Sequence, residues 1–313
     1  MKVLISGTTG LIGAEVFDKL KESHVLKSLG RNIHSDFVVD FNSIREIKNQ
    51  SFGNVDVFIH CAGITDEDFA QDSLKAYQRS TYNYTLLLDK IIESGVKAII
   101  TFSTAHVYGH LGGIISEDYP VNPLSDYAIA HYAAEQILQR YSIQSKIKTF
   151  VIRPVAVYGI PKYIDTFKRW HLIPYSFPIS CVYDQNIVLK SSGKQKRNFI
   201  STKDLAGYVE AIIANLKLFG NYTIINPVGN DTISVYEFAN KCSEIYRELS
   251  GEKCKVKRPC YSENNILKNF NYKTKHKFYV SKYYVNDYLN SLMLKVIENF
   301  NRNIIYDYVD LLR

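Results

Sequence analysis

Cysteine is scarce in this sequence, which argues against a disulfide scaffold and against a zinc site. The 313 residues include only five cysteines, scattered along the chain as Cys61, Cys181, Cys242, Cys254 and Cys260. Cys254 and Cys260 have no matching pair of histidines or cysteines, so the spacing predicts no metal centre. An odd and sparse set of this kind is typical of reduced thiols in a cytoplasmic protein.

Long hydrophobic runs are also absent. The N-terminal stretch MKVLISGTTGLIG has one lysine and only a very short apolar segment before its glycines. We expect it to be neither a signal peptide nor a membrane span, and we expect a cytoplasmic protein that does not bind a membrane. A chain with 46% hydrophobic and 22% charged residues is typical of a soluble protein with one large domain or two unequal ones.

The positive charge of the chain is concentrated near its C-terminus. The net charge is +7, and residues 253–313 contain 12 lysines and arginines against 5 acidic residues, while the rest of the chain is balanced. Such a region either forms a solvated surface or attracts an anionic ligand, such as a diphosphate, by its positive charge. No DNA- or RNA-binding motif accompanies the charge, so we do not expect nucleic acid as a partner.

Short apolar segments alternate with stretches of helical periodicity. The apolar segments that predict the main strands are 2–6, 25–29, 55–60, 97–102 and 149–152. The stretches that predict the main helices are 11–22, 72–94, 125–141 and 234–249. This alternation predicts βαβ units and an α/β fold, with a Rossmann-type, doubly wound parallel sheet. Ligands of such sheets bind beyond the carboxyl ends of the strands.

Three glycines follow the first predicted strand and open the first predicted helix. Gly7 permits a tight turn, Gly10 lets a pyrophosphate approach the backbone, and Gly13 lets the helix pack on the sheet. The free N–H groups and the helix dipole then bind the anion. The alternative is a purely structural turn between strand and helix. The cofactor contacts predicted in this turn are Gly7, Thr9, Gly10, Leu11, Ile12 and Gly13.

The chain changes character after Pro154, because residues 158–196 are rich in proline and aromatics and show little periodicity. We therefore assign residues 1–160 to a dinucleotide-binding domain, to which residues 197–228 return. Residues 161–196 and 229–313 are assigned to a smaller substrate-binding lobe over the edge of the sheet.

The end of the second predicted strand has no acidic residue, although an acid there would hydrogen-bond the ribose 2′-hydroxyl of NAD. Arg31 stands there instead and can pair with a 2′-phosphate, which favours NADP over NAD. Alternatively, Arg31 is a surface residue that stacks on adenine. Asp40 is a candidate contact for the adenine amino group, or it is a turn residue.

Six motifs in order and spacing resemble the extended short-chain dehydrogenase/reductase family, in its NAD-dependent epimerase/dehydratase branch that acts on nucleotide sugars. They are GTTGLIG at 7–13, HCAG at 60–63, FSTAHVYG at 102–109, YAIAH at 127–131, RPVAVYG at 153–159 and RNFISTKDLA at 197–206. The resemblance runs from residue 1 to about residue 245.

This resemblance implies hydride transfer between a sugar carbon and a nicotinamide cofactor. It implies that Tyr127 is the acid/base on the sugar oxygen and that Thr104 orients that oxygen, with Ser103 as the adjacent alternative. The small residues Ala62 and Gly63 are expected to contact the cofactor, as are Tyr127 and His131.

The family's lysine, four residues after the tyrosine, is replaced by His131. A phenol with a pKa near 10 needs a neighbouring cation to act near neutral pH, and this lysine also holds the nicotinamide ribose. A neutral imidazole at this position could bind the ribose, and only a protonated one could also support Tyr127 by its charge. Three interpretations follow: a working site with an acidic optimum, a site limited to non-redox proton transfer, and a site that binds without catalysing.

The residues after Thr104 distinguish reactions within the branch. Sugar 4,6-dehydratases resemble one another in carrying Asp-Glu there, whereas this chain has Ala105 and His106, so we do not expect dehydratase activity. His106 has the chemistry for proton transfer in a keto-sugar epimerase or reductase. The alternative is a histidine that only lines the pocket.

Substrate contacts are expected from the later motifs. Arg197 in RNFI is a candidate for bidentate pairing with a diphosphate, or it belongs to a basic loop. Tyr158 in VYG is expected to line the same cleft. Asn83 resembles the family's structural asparagine near the active site.

These observations favour an enzyme that acts on a nucleotide-diphosphate sugar as a keto-sugar reductase or epimerase. Its expected cofactor is NADP, with NAD as the alternative, and its expected assembly is the family's helix-pair homodimer. The main rival is a catalytically weakened binding protein or partner subunit. A purely structural role is the third possibility.

Overall fold

The computed structural model describes residues 1–164, 167–259 and 270–301. Cys260 and part of the predicted C-terminal lobe lie outside these ranges. The strands in chain order are β1 (Lys2–Ser6), β2 (Val25–Gly30), β3 (Phe37–Val38), β4 (Val57–His60), β5 (Ala98–Phe102), β6 (Ile114–Ile115), β7 (Lys148–Ile152), β8 (Ala156–Tyr158), β9 (Asn186–Val188), β10 (Lys196–Ser201), β11 (Tyr222–Ile225), β12 (Asp231–Ser234), β13 (Lys255–Lys257) and β14 (Asn271–Tyr272).

The α-helices are α1 (Leu11–Leu20), α2 (Ile44–Lys48), α3 (Asp66–Gln71), α4 (Ser73–Gln78), α5 (Tyr84–Glu93), α6 (Asp126–Ser145), α7 (Ile173–Tyr183), α8 (Thr202–Ala214), α9 (Val235–Ser250) and α10 (Val285–Asn301). Within the described ranges, no helix combines the length and apolar character needed to cross a bilayer.

Seven strands form one parallel sheet in the order β11-β7-β5-β4-β1-β2-β3. The middle of β1, with Val3, Leu4 and Ile5, is fully buried, as a strand covered by helices on both faces must be. The chain runs from β1 outward through β2 and β3, then returns to the other side of β1 to form β4. This reversal opens a crevice at the carboxyl ends of β1 and β4. The Rossmann-type parallel sheet predicted from the sequence is confirmed.

Each face of the sheet has its own hydrophobic core. On one face α1 packs against α8, with Val16 and Ile212 among the fully buried residues. On the other face the helices α2, α5 and α6 cover the sheet, with Leu88 and Leu138 at the centre. A third core joins α7, α9 and α10 beside the sheet, and Phe238 lies within it. This third core borders a small sheet in which β10 pairs with β8 in parallel and with β12 in antiparallel.

The single helix predicted over 72–94 is divided in the structure. A π-helical segment, Arg79–Asn83, separates α4 from α5. Its wider turn directs Asn83 inward, where the side-chain Nδ2 donates a hydrogen bond of 2.8 Å to the carbonyl of Phe41. The apolar periodicity was read correctly as helical, but a π-turn has no sequence signature that distinguishes it from a regular turn.

Candidate functional site

The glycine turn is tightly built against the loop that follows β4. Gly7 has a φ of +72°, and a Cβ there would lie 2.8 Å from the backbone nitrogen of Ala62. A Cβ on Gly13 would lie only 2.1 Å from the carbonyl oxygen of Gly7. Both positions therefore require glycine, the first for its backbone conformation and for space, the second for space alone.

The start of α1 has the features of an anion site. Gly10 precedes the helix and offers no side chain to cap it, and the first turn contains no acidic residue. The backbone amides of the first turn therefore remain available to a ligand, and the helix dipole favours negative charge there. Thr9, Leu11 and Ile12 lie in this same stretch of backbone.

The ends of β1 and β4 are joined by hydrogen bonds at the crevice. The Nδ1 atom of His60 lies 2.8 Å from the hydroxyl oxygen of Ser6, which also accepts a bond of 3.4 Å from the backbone N–H of Ala62. Burial, and then the nearby charges of His131 and Arg79, lower the pKa of His60 to about 3, so this imidazole is neutral.

Arg31 and Asp40 stand beyond the ends of β2 and β3. The side chain of Arg31 is exposed, and so it can reach a ligand. The carboxylate of Asp40 accepts hydrogen bonds of 3.0 Å from both the backbone and the side-chain nitrogens of Asn42. Of the two predicted roles for Asp40, the geometry favours the turn residue.

Tyr127 and His131 share one face of α6, as their spacing predicts. Ser125 caps the helix by accepting a hydrogen bond of 3.3 Å from the backbone N–H of Ala128. The rings of Tyr127 and His131 are in edge contact, with centroids 4.5 Å apart and an interplanar angle of 72°. His131 is buried, with only 7% of its surface exposed.

Thr104 follows β5 and faces Tyr127. Its hydroxyl lowers the pKa of Tyr127, and it accepts a hydrogen bond of 3.2 Å from the backbone N–H of His106. The neighbouring Ser103 hydroxyl instead donates to the buried carboxylate of Glu135. Ser103 is thus engaged in the interior, which corrects its assignment as a substrate contact and leaves Thr104 as the hydroxyl at the site.

Burial decides the charge of His131. It lowers the pKa of His131 to about 4, and the charges of Arg169 and His106 act in the same direction. The protonated His131 that the interpretation with an acidic optimum requires therefore forms only at a pH well below 6.5. The Nε2 atom lies 3.3 Å from the carbonyl oxygen of Ile64, so in the neutral ring Nε2–H donates there and Nδ1 remains an acceptor.

The groups around Tyr127 shift its pKa in opposite directions. Burial raises the pKa of Tyr127, and the carboxylate of Asp66 raises it too. The charge of Arg169 opposes this and lowers the pKa of Tyr127, as does the Thr104 hydroxyl. Arg169 and Asp66 were not predicted from the sequence, since they belong to loops and helix ends far from Tyr127 along the chain.

His106 and Arg197 lie together at the rim of the site. The His106 ring is solvent-exposed on one side, and its centroid lies 6.2 Å from that of Tyr127. Partial burial lowers the pKa of His106, and the charges of Arg197 and Arg169 lower it further. The charge of Arg197 thus acts on an imidazole that lies beside the ring of Tyr127.

The predicted contact Tyr158 lies elsewhere. Its ring is only 2% exposed and packs against that of Tyr288, with centroids 4.9 Å apart, inside the third core. Its side chain therefore does not line the open cleft. The aromatic residue of the VYG motif supports the fold there because it fills the space between the sheet and α10.

A small pocket with a cavity volume of about 40 Å³ lies between the crevice and α6. Ala62, Gly63 and His131 line it, so the structure brings together three of the predicted cofactor contacts. Asn83 forms another part of the wall. Among the described residues, no group of three or more potential ligands could hold a metal ion.

A charged pair that sequence reasoning missed supports the site from behind. Arg153 follows β7 and makes a bidentate, almost fully buried ion pair with Glu135 of α6, in which Nε donates to Oε1 at 3.0 Å. The guanidinium also lies 4.8 Å from the ring centroid of Tyr108. The available signal was an arginine directly after a buried strand, where a charge requires a partner.

Comparison with known proteins finds relatives in sequence and similar folds among solved structures. An uncharacterised UDP-glucose epimerase of Bacillus subtilis is 23% identical over 285 residues, covering 81% of this chain and 83% of the relative. RMD from Pseudomonas aeruginosa, complexed with NADPH, has a TM-score of 0.77 at 13% identity and covers 95% of this chain and 99% of its own. UDP-glucuronic acid 4-epimerase from Bacillus cereus, in complex with UDP-glucuronic acid and NAD, has a TM-score of 0.71 at 18% identity, with coverages of 96% and 100%.

The structural similarities show the fold. The profile of the NAD dependent epimerase/dehydratase family adds the sequence itself, since it matches residues 3–226, more than two thirds of the chain. This match includes the glycine turn, Thr104, Tyr127 and the RNFI motif. The chain belongs to the NAD dependent epimerase/dehydratase family.

Proposed function

We propose that this protein is an enzyme that uses a nicotinamide dinucleotide to convert a nucleotide-activated sugar, as a keto-sugar reductase or epimerase. The observation that carries the proposal is the position of Tyr127 at the start of α6, where its ring contacts that of His131, which lines the pocket together with Ala62 and Gly63. A phenol and a second hydroxyl at this edge of the sheet can together hold one sugar oxygen and move its proton.

The dinucleotide fits the residues that would hold it. Its pyrophosphate would lie on the amides in the first turn of α1, beside the small residues Ala62 and Gly63. The exposed Arg31 favours NADP, because a guanidinium pairs with a 2′-phosphate; NAD is the alternative. Similar structures include one complexed with NADPH and one complexed with NAD.

The bound dinucleotide supplies the hydride acceptor or donor. In the oxidative direction Tyr127, as the phenolate, takes the proton from the sugar hydroxyl whose carbon gives up the hydride, and in the reductive direction it returns that proton. Thr104 orients the sugar oxygen by hydrogen bonding. The Nδ1 atom of His131 is an acceptor that can hold a ribose hydroxyl, one of the two tasks assigned to the family's lysine.

The nucleotide part of the substrate requires positive charge near the opening. Arg197 is the candidate for the diphosphate, and His106 is the candidate for an additional proton transfer during epimerisation. We assign the dinucleotide to residues 1–160 with 197–228, and the sugar nucleotide to the remaining lobe. A helix-pair homodimer and a cytoplasmic location complete the proposal.

A second candidate is a binding protein with little catalysis. The neutral state of His131 favours this second candidate. The residue that stands at the position of the family's lysine carries no positive charge at neutral pH, so it cannot support the tyrosine by its charge. Such a protein would bind dinucleotide and sugar nucleotide without turnover.

One set of measurements separates the two. Mass spectrometry of the nucleotide that copurifies with the protein identifies NADP or NAD, and thermal shift with each tests binding. Incubation with UDP-glucose, UDP-glucuronic acid or a GDP-sugar, followed by product analysis, tests turnover. We expect turnover in the wild type, an approximately 100-fold or larger loss in Tyr127→Phe, and unchanged dinucleotide binding in that variant. Binding without turnover in the wild type would support the second candidate instead.

A further inference from the structure

The lobe assigned to the sugar nucleotide, here called the sugar-nucleotide lobe, is attached to α1 next to the anion site. Leu11, Glu15 and Asp18 are spaced by four and three residues and so share one face of this helix. Leu11 packs against the third core, which joins α7, α9 and α10. The Nζ atom of Lys162 lies 3.4 Å from Oε1 of Glu15 and also pairs with Asp18. The lobe is thus held along α1, close to the amides of the first turn.

The same lobe is attached to the start of α3. The Nη2 atom of Arg169 lies 3.5 Å from Oδ2 of Asp66, and its Nε atom lies 3.7 Å from Oε1 of Glu67. The Nε2 atom of His171 lies 3.2 Å from that same Oε1. Within the described ranges, both carboxylate oxygens of Glu67 are buried and accept no hydrogen bond. Because a buried charge without hydrogen bonds is costly, Glu67 depends on the positive charge of Arg169 opposite it.

The start of α3 is connected to the pocket wall. The carbonyl oxygen of Ile64, just before this helix, lies 3.3 Å from Nε2 of His131, and both residues line the pocket. A capping box fixes the first turn of α3, in which Asp66 and Glu67 are the first two residues. The two carboxylates that bind the lobe are therefore held next to the position expected for the nicotinamide ribose.

The cations are held equally firmly on the side of the lobe. Tyr175 of α7 has its ring centroid 4.8 Å from that of Phe167, and its hydroxyl donates a hydrogen bond of 3.0 Å to the carbonyl of Gly159. The carbonyl of Arg169 accepts a hydrogen bond of 3.2 Å from the backbone N–H of Leu172. The ion pairs thus connect two anchored surfaces.

The two attachments lie on the two sides of the crevice. The helix α1 follows β1 and α3 follows β4, and these strands are parallel neighbours whose carboxyl ends form the crevice. A dinucleotide with its pyrophosphate at the first turn of α1 and its ribose at His131 would lie between them. The lobe is therefore tied down at both ends of the expected dinucleotide site.

We propose that the two sets of ion pairs form a clamp, which holds the sugar-nucleotide lobe over the dinucleotide and slows its release. The clamp consists of two groups: Lys162 with Glu15 and Asp18, and Arg169 and His171 with Asp66 and Glu67. The inference rests on the dinucleotide binding of the proposed function. The dinucleotide leaves when the lobe moves away from α1 or α3, so weakening either group speeds its release.

The carboxylates separate a clamp from a direct electrostatic effect on the ligand. Glu15 and Glu67 are negative, and so is the dinucleotide. If these charges acted on the dinucleotide itself, neutralising either one would slow its release, because a repulsion would be removed. If they act through the clamp, neutralising either one speeds release, because the lobe is held less firmly. The two explanations therefore predict opposite signs.

The test measures the dissociation rate of the reduced dinucleotide from the full-length protein. Protein loaded with NADPH or NADH is mixed rapidly with excess NADP⁺ or NAD⁺, and the loss of bound-cofactor fluorescence is followed. We expect Glu15→Gln and Glu67→Gln each to raise the dissociation rate by about 2- to 5-fold, the size expected for a partly exposed ion pair. Because the two variants lie on different helices, one still decides the result if the other fails to fold.

A matched control exists on α1 itself. Lys19 pairs at 3.0 Å with Glu210 of α8, and both side chains are exposed and belong to the dinucleotide-binding part of the chain. We expect Lys19→Gln and Glu210→Gln to leave the dissociation rate unchanged, because this pair does not join the two lobes.

A charge exchange tests the pairing directly. Lys162→Glu places a negative charge opposite Glu15 and Asp18, and we expect it to raise the dissociation rate. Adding Asp18→Lys to Lys162→Glu restores an attraction between the lobe and α1 with the charges reversed. We expect the double variant to release the dinucleotide more slowly than Lys162→Glu alone.

The outcomes distinguish the clamp from the enzyme activity. Unchanged or slower release in both Glu15→Gln and Glu67→Gln would overturn the clamp, even if the wild type converts UDP-glucose, UDP-glucuronic acid or a GDP-sugar. Faster release in these variants, together with a wild type that converts none of these sugars, would support the clamp and overturn the proposed enzyme activity.

Discussion

A single buried side chain, His131, determines how the candidate site works. The sequence showed a histidine where a lysine is expected, but it could not show the charge of that histidine. Burial lowers its pKa to about 4, because the interior solvates an imidazolium poorly and positive neighbours disfavour it further. Histidine ordinarily titrates near pH 6.5, but this buried histidine is neutral throughout the physiological range.

This neutral state has a measurable consequence for stability. A histidine whose pKa is lower in the folded protein gains a proton on unfolding, so the free energy of unfolding falls as the pH drops from about 6.5 towards 4. The slope due to His131 is up to about 1.4 kcal/mol per pH unit. We expect His131→Gln to flatten the pH dependence measured by urea unfolding between pH 7 and 5. His34→Gln, at an exposed side chain, is the control and should retain the wild-type slope.

The glycine turn and α1 act together as one element of the site. Periodicity and glycine spacing predicted this turn correctly in place, because the requirement for glycine is local: the backbone of Gly7 has a positive φ. The reason for Gly13 is not local. A Cβ at position 13 would lie only 2.1 Å from the carbonyl oxygen of Gly7, because the helix packs closely on the turn.

A methyl group at Gly13 should therefore disrupt the element. We expect Gly13→Ala to lower the free energy of unfolding by about 1–3 kcal/mol and to abolish the rise in Tm with NADP⁺ or NAD⁺, because the amides before α1 must shift. Gly220→Ala is the matched control, since a Cβ at Gly220 meets nothing within 4 Å. A Gly13→Ala variant that keeps the wild-type Tm shift would contradict this account of the turn.

The segment at 72–94 shows that apolar periodicity predicts a helix but not an interruption within it. The pattern predicted a helix, and helix is present, but the π-turn at Arg79–Asn83 interrupts it and turns Asn83 towards Phe41. The interruption is stabilised by a hydrogen bond between residues 42 positions apart. Contacts between residues so far apart in the chain cannot be detected in the periodicity of a single segment.

At the scale of the whole molecule, the Glu135–Arg153 pair connects the elements behind the site. Glu135 of α6 accepts from Ser103 after β5 and from Arg153 after β7, and the carbonyl of Arg153 accepts a hydrogen bond from Tyr272 of β14. Three elements thus meet at one buried carboxylate, and β14 is connected to them through the carbonyl of Arg153. The pair keeps α6, and with it Tyr127, in a fixed relation to the end of β5.

Removing one partner should be costly, because the other charge would remain buried alone. We expect Glu135→Gln to lower the free energy of unfolding by about 3–5 kcal/mol, measured by urea denaturation. Glu93→Gln removes the same charge from an exposed pair with Lys90 and should change stability by less than about 1 kcal/mol. Similar losses in both variants would mean that the buried pair contributes little to holding the molecule together.

The sequence by itself determined the parallel sheet, the glycine turn and the positions of Thr104 and Tyr127. These features depend on apolar periodicity, on backbone freedom and on spacing within one element, all of which are local. Only the tertiary structure decided the lowered pKa of His131, the inward direction of Ser103 and the burial of Tyr158. Those outcomes depend on which distant segments pack together, and the environment that packing creates determines both the pKa of a side chain and its partners.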